Sequence, residues 1–451
     1  MQYLLNVIAT VLELDPAAIR WQGIGSLPSA YGVTELASAS VAAAGLALAD
    51  LLQRQTDTCP LVRVDRRLAS FWFAGSVRPQ GWQTPPLWDA IAGDYPCKDG
   101  WIRLHTNAPH HRRAAQDVLG AAQDRAEMAR RVAPWSAGDL EQAVVAAGGC
   151  AAMMRSWLQW SEHPQGQAVA AEPLIARQLA APGPGPIRPW QGTLERPLAG
   201  VKVLDLTRIL AGPTASRLLA GFGADVLRID PPGWDEPAVV AEVTLGKRCA
   251  RLDLRVAEDR QVFEHLLADA DILLHGYRAD ALEGLGYGEP RRRELNPGLV
   301  DVCLNAYGWS GPWRDRRGFD SLVQMSTGIA REGMRWQQAE HPVPLPVQAL
   351  DHATGYLMAA AAIRGYAERL RNGHGASARL SLARTAKLLI ERGTVSDDLP
   401  LAAETVEDLD ALVETTPWGP ARRLKGPLKV GEAVIHWERG ACELGSDAAR
   451  W

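Results

Sequence analysis

The sequence predicts an α/β protein, a Rossmann-like doubly wound parallel sheet with a second, smaller α+β domain. Two observations carry this. From residue 201 onward, short apolar strands alternate with helical stretches, a pattern that requires right-handed crossovers and a parallel sheet. Before that point helical patterns dominate. The stretch AAPGPGPIRPW (180–190), with four prolines and two glycines, separates the two parts. Proline at that density neither continues a helix nor joins a central strand.

The elements follow in order. VKVLDL (201–206) is a short strand, and ILAGPTASRLLAGFG after it has apolar residues at helical spacing and a glycine stop at Gly223. ADVLRID (224–230), DILLHGY (271–277) and LVDVCLNAYG (299–308) read as further strands, with an amphipathic helix over 257–268. In such a sheet the ligand lies beyond the carboxyl ends of the strands. Before the linker, CKDGWIRLHTN (97–107) reads as a hairpin, and 111–132 and 137–147 as helices.

One internal repeat is visible. TELASASVAAAG (34–45) resembles LDHATGYLMAAA (350–361), and VRVDRRLA (62–69) resembles ARLSLART (378–385). Both pairs share an offset of 316, 351 against 35 and 379 against 63, so that Glu35 stands where Asp351 stands. A constant offset points to duplication, although alanine-rich helices match easily. The expected organisation is a degenerate copy of the Asp-bearing segment over 1–85 and a small domain over 86–180. A linker follows over 181–196, then the Rossmann-like domain over 197–392 and a C-terminal tail over 393–451 that packs on the core.

Composition narrows the function classes. The chain has 451 residues, is 47% hydrophobic, and carries a net charge of -4 from 48 basic and 52 acidic side chains. No basic excess supports a nucleic-acid partner. The six cysteines form no C-x-x-C pair, which fits core thiols in a reducing compartment and no metal site. The N-terminus lacks a basic segment before its apolar stretch, so no signal peptide is expected. The apolar runs near 36–52 and 353–363 are read as too short to span a bilayer. A cytoplasmic protein without a membrane partner is the expectation.

Four segments could carry chemistry. TRILAGPTASRLLAGFG (207–223) joins a strand end to a helix N-terminus, where free N–H groups favour an anion. It has neither dinucleotide nor triphosphate-loop spacing, and an ordinary turn is the competing reading. Lys247 and Arg248 in GKRCARLDL either clamp a phosphate or are solvated surface charges. The glycine- and proline-rich stretch 306–328, with Arg314, Arg316 and Arg317, describes a shaped loop at the functional edge of the sheet. Asp351 lies at the start of the apolar helix in LDHATGYLMAAAAI (350–363). It reads as an N-cap, as a carboxylate held ionised and aimed by the helix terminus, or as both. His352 receives no role.

Taken together these segments resemble the family III CoA-transferases, the group that includes formyl-CoA transferase and carnitine CoA-transferase. The resemblance runs over about 197–390, through PLAGVKVLDLTRILAGPTASRLLAGFGADVLRIDPPG, GKRCARLDL, ADILLHGYRADALEGLGYG, NPGLVDVCLNAYGWSGP, RRGFDSLVQMSTG and LDHATGYLMAAAA. It implies a transferase that moves coenzyme A between an acyl-CoA and a carboxylic acid, with the CoA thioester as substrate and no tightly bound cofactor. It implies Asp351 as the nucleophile, and Leu210, Ala211, Lys247, Arg248, Tyr277, Arg317 and Asp320 around CoA. It also implies a homodimer, usually interlocked.

The chain departs from the family pattern in several places. Pro231–Pro232 and Glu283 stand where many members have basic residues, and DGWIRLHTNAPHHRRAAQDVLG and WSEHPQGQAVAAEPLI, which look like the family's small domain, precede the Rossmann-like half. Two other readings stay open. One is a non-catalytic CoA-binding protein. The other is an α-methylacyl-CoA racemase, disfavoured because related racemases have a histidine in a GHD sequence where this chain reads Gly318-Phe319-Asp320.

Overall fold

The structure is a computed structural model that describes residues 1–182, 188–278, 280–395 and 399–451. The centre of the expected linker, residues 183–187, lies outside the described residues.

The first part of the chain contributes β1 (Ile19–Gln22), β2 (Val62–Asp65), β3 (Val77–Pro79), β4 (Gly93–Cys97), β5 (Gly100–Leu104), β6 (Ala151–Met153) and β7 (Ala176–Pro182). The Rossmann-like part contributes β8 (Lys202–Leu206), β9 (Asp225–Asp230), β10 (Arg248–Arg251), β11 (Ile272–His275), β12 (Val300–Asn305) and β13 (His374–Ser381). The C-terminal part contributes β14 (Leu409–Thr416), β15 (Gly419–Leu424), β16 (Leu428–Val430) and β17 (Ala433–Val434).

Seven strands form the main sheet in the order β10-β9-β8-β11-β12-β13-β7. All pairs are parallel except β13 with β7. The order reverses at β8 and β11, the crevice where such folds take ligands. Edge strand β7 runs to Pro182, so the first two residues of the stretch expected as linker are strand. Proline is tolerated there because an edge leaves the missing donor without consequence. The small domain holds the antiparallel sheet β4-β5-β6. The helix expected over 111–132 is two, Pro109–Leu119 and Arg125–Val132, divided after Gly120, whose φ is +84°.

The repeat seen in the sequence has a structural counterpart. A helix spans Val33–Thr56 and another spans Ala349–Asn372, each of 24 residues. We refer to them as the Glu35 helix and the Asp351 helix. Their first residues, 33 and 349, and their last, 56 and 372, keep the offset of 316. So do the ends of the strands that follow, 65 and 381. β1 pairs parallel with β2 as β12 does with β13.

Each unit is closed by an antiparallel strand at equivalent register, Val430 opposite Val62 and Arg177 opposite Ala378. β7 follows the N-terminal unit in sequence but joins the sheet of the Asp351 unit. β16 follows the Asp351 unit but joins the sheet of the N-terminal unit. The two units are thus interlocked within one chain.

The two long helices share one continuous apolar core. Each fully buried leucine or valine in it contributes roughly 1.5–3 kcal/mol. The Glu35 helix is longer than its apolar run suggested. By length and composition it could cross a membrane, yet 89% of its apolar window is buried inside the fold. The expectation that this run is too short is corrected, because the helix continues past the run through polar residues at its end.

Candidate active site

A cleft of about 210 Å³ opens at the carboxyl ends of the central strands. Thr207–Gly212 after β8, Trp234 after β9, Gly276–Arg278 after β11 and Asn305–Ala306 at the end of β12 line it. Asp351, Arg317 and Phe319 complete one wall, and His110 and His111 of the small domain face them. Of the residues named from the sequence, Leu210, Ala211, Tyr277, Arg317 and Asp351 come together here.

The turn after β8 is built on buried polar groups. Asp205 is fully buried and accepts hydrogen bonds from Thr207 N and Ser216 Oγ. Lys247 Nζ lies 3.0 Å from Asp205 Oδ2 and donates to Pro213 O at 3.2 Å. Lys247 is 1% exposed. It is therefore a post beneath the turn, and the expectation that it clamps a CoA phosphate is corrected: its charge is already used by Asp205. Burial pushes its ammonium below the usual range, opposed by that carboxylate.

Arg248 is also corrected. It opens β10, at the amino end of a parallel strand and so on the edge away from the cleft. There it pairs with Asp225 at 2.7 Å. Lys247 precedes the strand and Arg248 opens it, and the pair KR alone could not reveal that Asp205 and Asp225 hold them separately.

The turn is held in a sparsely populated conformation. Ile209 has φ of +66°, uncommon for a β-branched residue. Its N–H donates to Glu236 Oε2 at 2.9 Å. The Asp351 helix packs directly on this turn: a Cβ at Gly355 would stand 2.3 Å from Ala211 O. Only glycine permits that approach.

Asp351 sits in the first turn of its helix, 8% exposed. It is not the cap. Asp320, fully buried, accepts the N–H groups of Leu350 at 2.8 Å and Asp351 at 3.0 Å. Asp320 was expected at CoA; it supports the Asp351 helix from behind instead. The expectation that the helix terminus holds Asp351 ionised is likewise corrected. Burial first, and then repulsion from Asp320, push the Asp351 carboxyl well above the usual range. Burial also raises Asp320, to about 6, against the hydrogen bonds from Gln324 and the two backbone N–H groups. Those donors favour the charge on Asp320, and the causes acting on Asp351 only disfavour its charge.

His352, left without a role, points away from the cleft. It stacks on Phe73 of the N-terminal unit at 5.1 Å.

Several lining residues were missed. Arg208 lies between two rings at the cleft wall, 4.4 Å from the Trp234 centroid and 4.7 Å from that of Tyr277. Its neighbour in sequence, Thr207, opened the motif, but nothing in the motif revealed that aromatic partners arrive from two other strand ends. His110 and His111 come from the small domain, and only the tertiary fold joins them to Asp351. Arg316 is bound up between domains, 3.1 Å from Glu141 and 3.9 Å from the Trp313 centroid.

Residues 198–408 match the family described as CoA-transferase family III. Over this stretch the chain is similar to that family. An acetyl-coenzyme A transferase of Hypoxylon pulicicidum is 35% identical over 184 residues, 40% of this chain and 31% of the relative. A succinyl-CoA–D-citramalate CoA-transferase of Chloroflexus aurantiacus is 31% identical over 196 residues, 40% of this chain and 48% of the relative. The crystal structure of Rv3272 from Mycobacterium tuberculosis is similar at 29% identity and a TM-score of 0.40, covering 44% of this chain and 59% of that one. The chain spans between 31% and 50% of the length of the first curated relatives it matches.

Proposed function

We propose that the protein moves coenzyme A between an acyl-CoA and a carboxylic acid, with Asp351 as the covalent nucleophile. The observation that carries this is the Asp351 carboxyl on the cleft wall, at the strand ends of a family III domain, with its helix N–H groups already satisfied by Asp320. A carboxyl without strong hydrogen bonds of its own is left free to attack.

Starting from ionised Asp351, the steps balance without an external acid or base. An Asp351 oxygen attacks the thioester carbonyl and expels CoA thiolate, leaving a mixed anhydride. The thiolate attacks the Asp351 carbonyl, releases the donor acid as carboxylate and forms an aspartyl-CoA thioester. The acceptor carboxylate attacks that thioester and re-forms an anhydride. Thiolate attack on the acyl carbonyl then gives the new acyl-CoA and restores Asp351. One hard exchange becomes several easier ones. The residues around CoA are Leu210, Ala211, Tyr277 and Arg317, with Arg208 added from the geometry.

A racemase would need a second base beside the substrate's α-carbon. Phe319, at the position of interest, is a ring that moves no proton and stacks on His105 at 3.8 Å. The test is incubation of the whole chain with a panel of acyl-CoAs and acids, followed by mass spectrometry. Exchange of CoA together with an aspartyl-CoA adduct on Asp351 is the expected result. CoA binding without exchange would leave the non-catalytic reading, and loss of α-stereochemistry would favour the racemase.

A further inference from the structure

The C-terminal tail clasps the main sheet at its edge strand β10, and two cysteines meet in that clasp. Cys249 lies within β10 and is fully buried. Cys442 lies on the tail and is half-buried. Hydrogen bonds on either side fix their approach. Cys249 N–H donates to Asp447 Oδ2 at 3.0 Å, and Cys249 O accepts the Asp447 N–H at 2.8 Å. Thr244 Oγ1 accepts the Cys442 N–H at 3.1 Å and lies 2.9 Å from Cys442 O. The Cys442 thiol reaches Lys247 O at 3.7 Å, two residues before Cys249. The two thiols are within hydrogen-bond reach of each other. Both are free in this structure.

We propose that Cys249 and Cys442 are a redox modification site, a reversible disulfide that ties the C-terminal tail to β10 when a peroxide oxidises the pair. The inference is independent of the transferase reading above. The two sulfurs play different parts. Hydrogen bonds to the Cys442 sulfur, from the Cys249 thiol first and also from Ser446, bring its titration down to about 7 against the effect of burial. Donating that bond, together with burial, pushes the Cys249 thiol well above the usual range. The thiolate is the nucleophile in sulfur chemistry. The more accessible Cys442 therefore reacts first and Cys249 resolves it, the arrangement of redox-sensing pairs. The Cys442 thiolate attacks one oxygen of hydrogen peroxide, the O–O bond breaks, and hydroxide leaves, giving a sulfenic acid. Cys249 Sγ then attacks the Cys442 sulfur, the S–O bond breaks, and a second hydroxide leaves. The protons given up by the two thiols convert both hydroxides to water. The thiol pair loses two electrons and the peroxide gains them. Without the link the tail rests on contacts such as Trp437 Nε1 donating to Arg217 O at 2.9 Å and Trp451 packed on the core around Phe263. A disulfide between such distant positions in the chain also restricts the unfolded state.

The test exposes the whole reduced chain to a few equivalents of hydrogen peroxide at pH 8, blocks the remaining thiols with N-ethylmaleimide, and maps the peptides by mass spectrometry without reduction. A linked Cys249–Cys442 peptide pair is the expected product, with two of the six cysteines protected from alkylation and dithiothreitol restoring both. The oxidised protein should melt higher by at least about 4 °C, and the shift should vanish in Cys442→Ser. In Cys249→Ser, Cys442 should gain oxygen without forming a link. A wild type in which Cys442 stays reduced, or gains oxygen without linking to Cys249, overturns the proposal. So does a link from either residue to another cysteine, such as the exposed Cys59. A Cys249–Cys442 link that leaves the melting temperature unchanged overturns the fastening of the tail. If a serine variant fails to fold, the wild-type peptide map still decides between these outcomes.

Discussion

The Glu35 helix and the Asp351 helix are equal in length, keep the offset of 316, and share a core, yet their carboxylates meet opposite surroundings. Glu35 accepts from Arg392 at 2.6 and 3.0 Å and pairs with the Met1 amine at 2.9 Å. Burial alone would raise its titration, but those cations leave it below the usual range. Asp351 has burial and a second acid against it, so its charged form is disfavoured. A carboxylate held by cations is stabilised as it stands and gains little by attacking. One whose charge is disfavoured gains more by forming a bond.

The cause lies in what separates each helix from the strand before it. Only residues 23–32 join β1 to the Glu35 helix. Residues 306–348 precede the Asp351 helix and carry Asp320 and Phe319. The N-terminal unit also has no counterpart of β8 and its turn among the described residues, so no cleft forms beside Glu35. A helix alone does not make a site; the turn beneath it and the acid behind it do.

The comparison is broken most severely by Asp351→Asn. Transfer should fall by roughly 10³-fold or more, as expected when a covalent nucleophile is removed, and the aspartyl-CoA adduct should vanish. The same variant should be the more stable protein at pH 8. A carboxyl whose folded titration lies above its unfolded one costs stability once pH exceeds the unfolded value, and the cost disappears in acid. The melting temperature of Asp351→Asn should therefore exceed wild type at pH 8, and the gap should close near pH 4. A variant that keeps most of its turnover would remove Asp351 as nucleophile.

Next in size is Lys247→Met. Both members of the Lys247–Asp205 pair are fully buried. Removing one partner from such a pair typically costs about 3–5 kcal/mol. Denaturant unfolding should show that loss, and the turn above should loosen. Arg248→Ala, on the far edge of the sheet, should leave CoA affinity unchanged in calorimetry. A tenfold loss of affinity in Arg248→Ala would restore the phosphate-clamp reading for that residue.

Smaller still is the effect of the second acid on pH dependence. Attack requires ionised Asp351, so kcat/KM should rise with pH along an acid limb set by the Asp320–Asp351 pair. Asp320→Asn keeps an oxygen to accept the two helix N–H groups but removes the charge. Its acid limb should move to lower pH, because the repulsion raising Asp351 is gone. An unmoved limb, with folding preserved, would make Asp320 purely structural.

The sheet was legible because its strands announce themselves: VKVLDL, ADVLRID and LVDVCLN are almost entirely buried and rich in Val, Leu and Ile, with few charged residues among them. The rule that ligands sit beyond strand ends anticipated where the cleft opens, and Leu210, Tyr277 and Asp351, which the family resemblance implied, line it. What the sequence hid depended on direction or distance. Lys247 and Arg248 are adjacent letters, one just before β10 and one opening it, and different carboxylates hold them. Asp320 was assigned to the substrate because no pattern tells a carboxylate that caps a neighbouring helix from one that meets a ligand. His111 lies 240 residues before Asp351, and only the interlocked path of the chain brings the small domain over the cleft.

The smallest expected effect is the most informative about the repeat. Glu35→Gln should leave CoA transfer within about twofold of wild type. The substitution keeps the side chain's length and one accepting oxygen, so the hydrogen bond from Arg392 can persist while the charge is lost. Glu35 is only partly exposed, and pairs of this kind contribute roughly 0–1 kcal/mol, so any fall in stability should be slight. Productive attack needs reacting atoms held at about 3–3.5 Å. Glu35 meets that demand on no side: its carboxylate folds back over Gly32, whose added Cβ would stand 2.9 Å from Oε2, and it faces Arg392 rather than a cleft. Turnover and melting temperature measured on the same preparation decide the matter. Lost turnover with a normal melting curve would show that both carboxylates act, and the two units would then be working partners rather than a site and its scaffold.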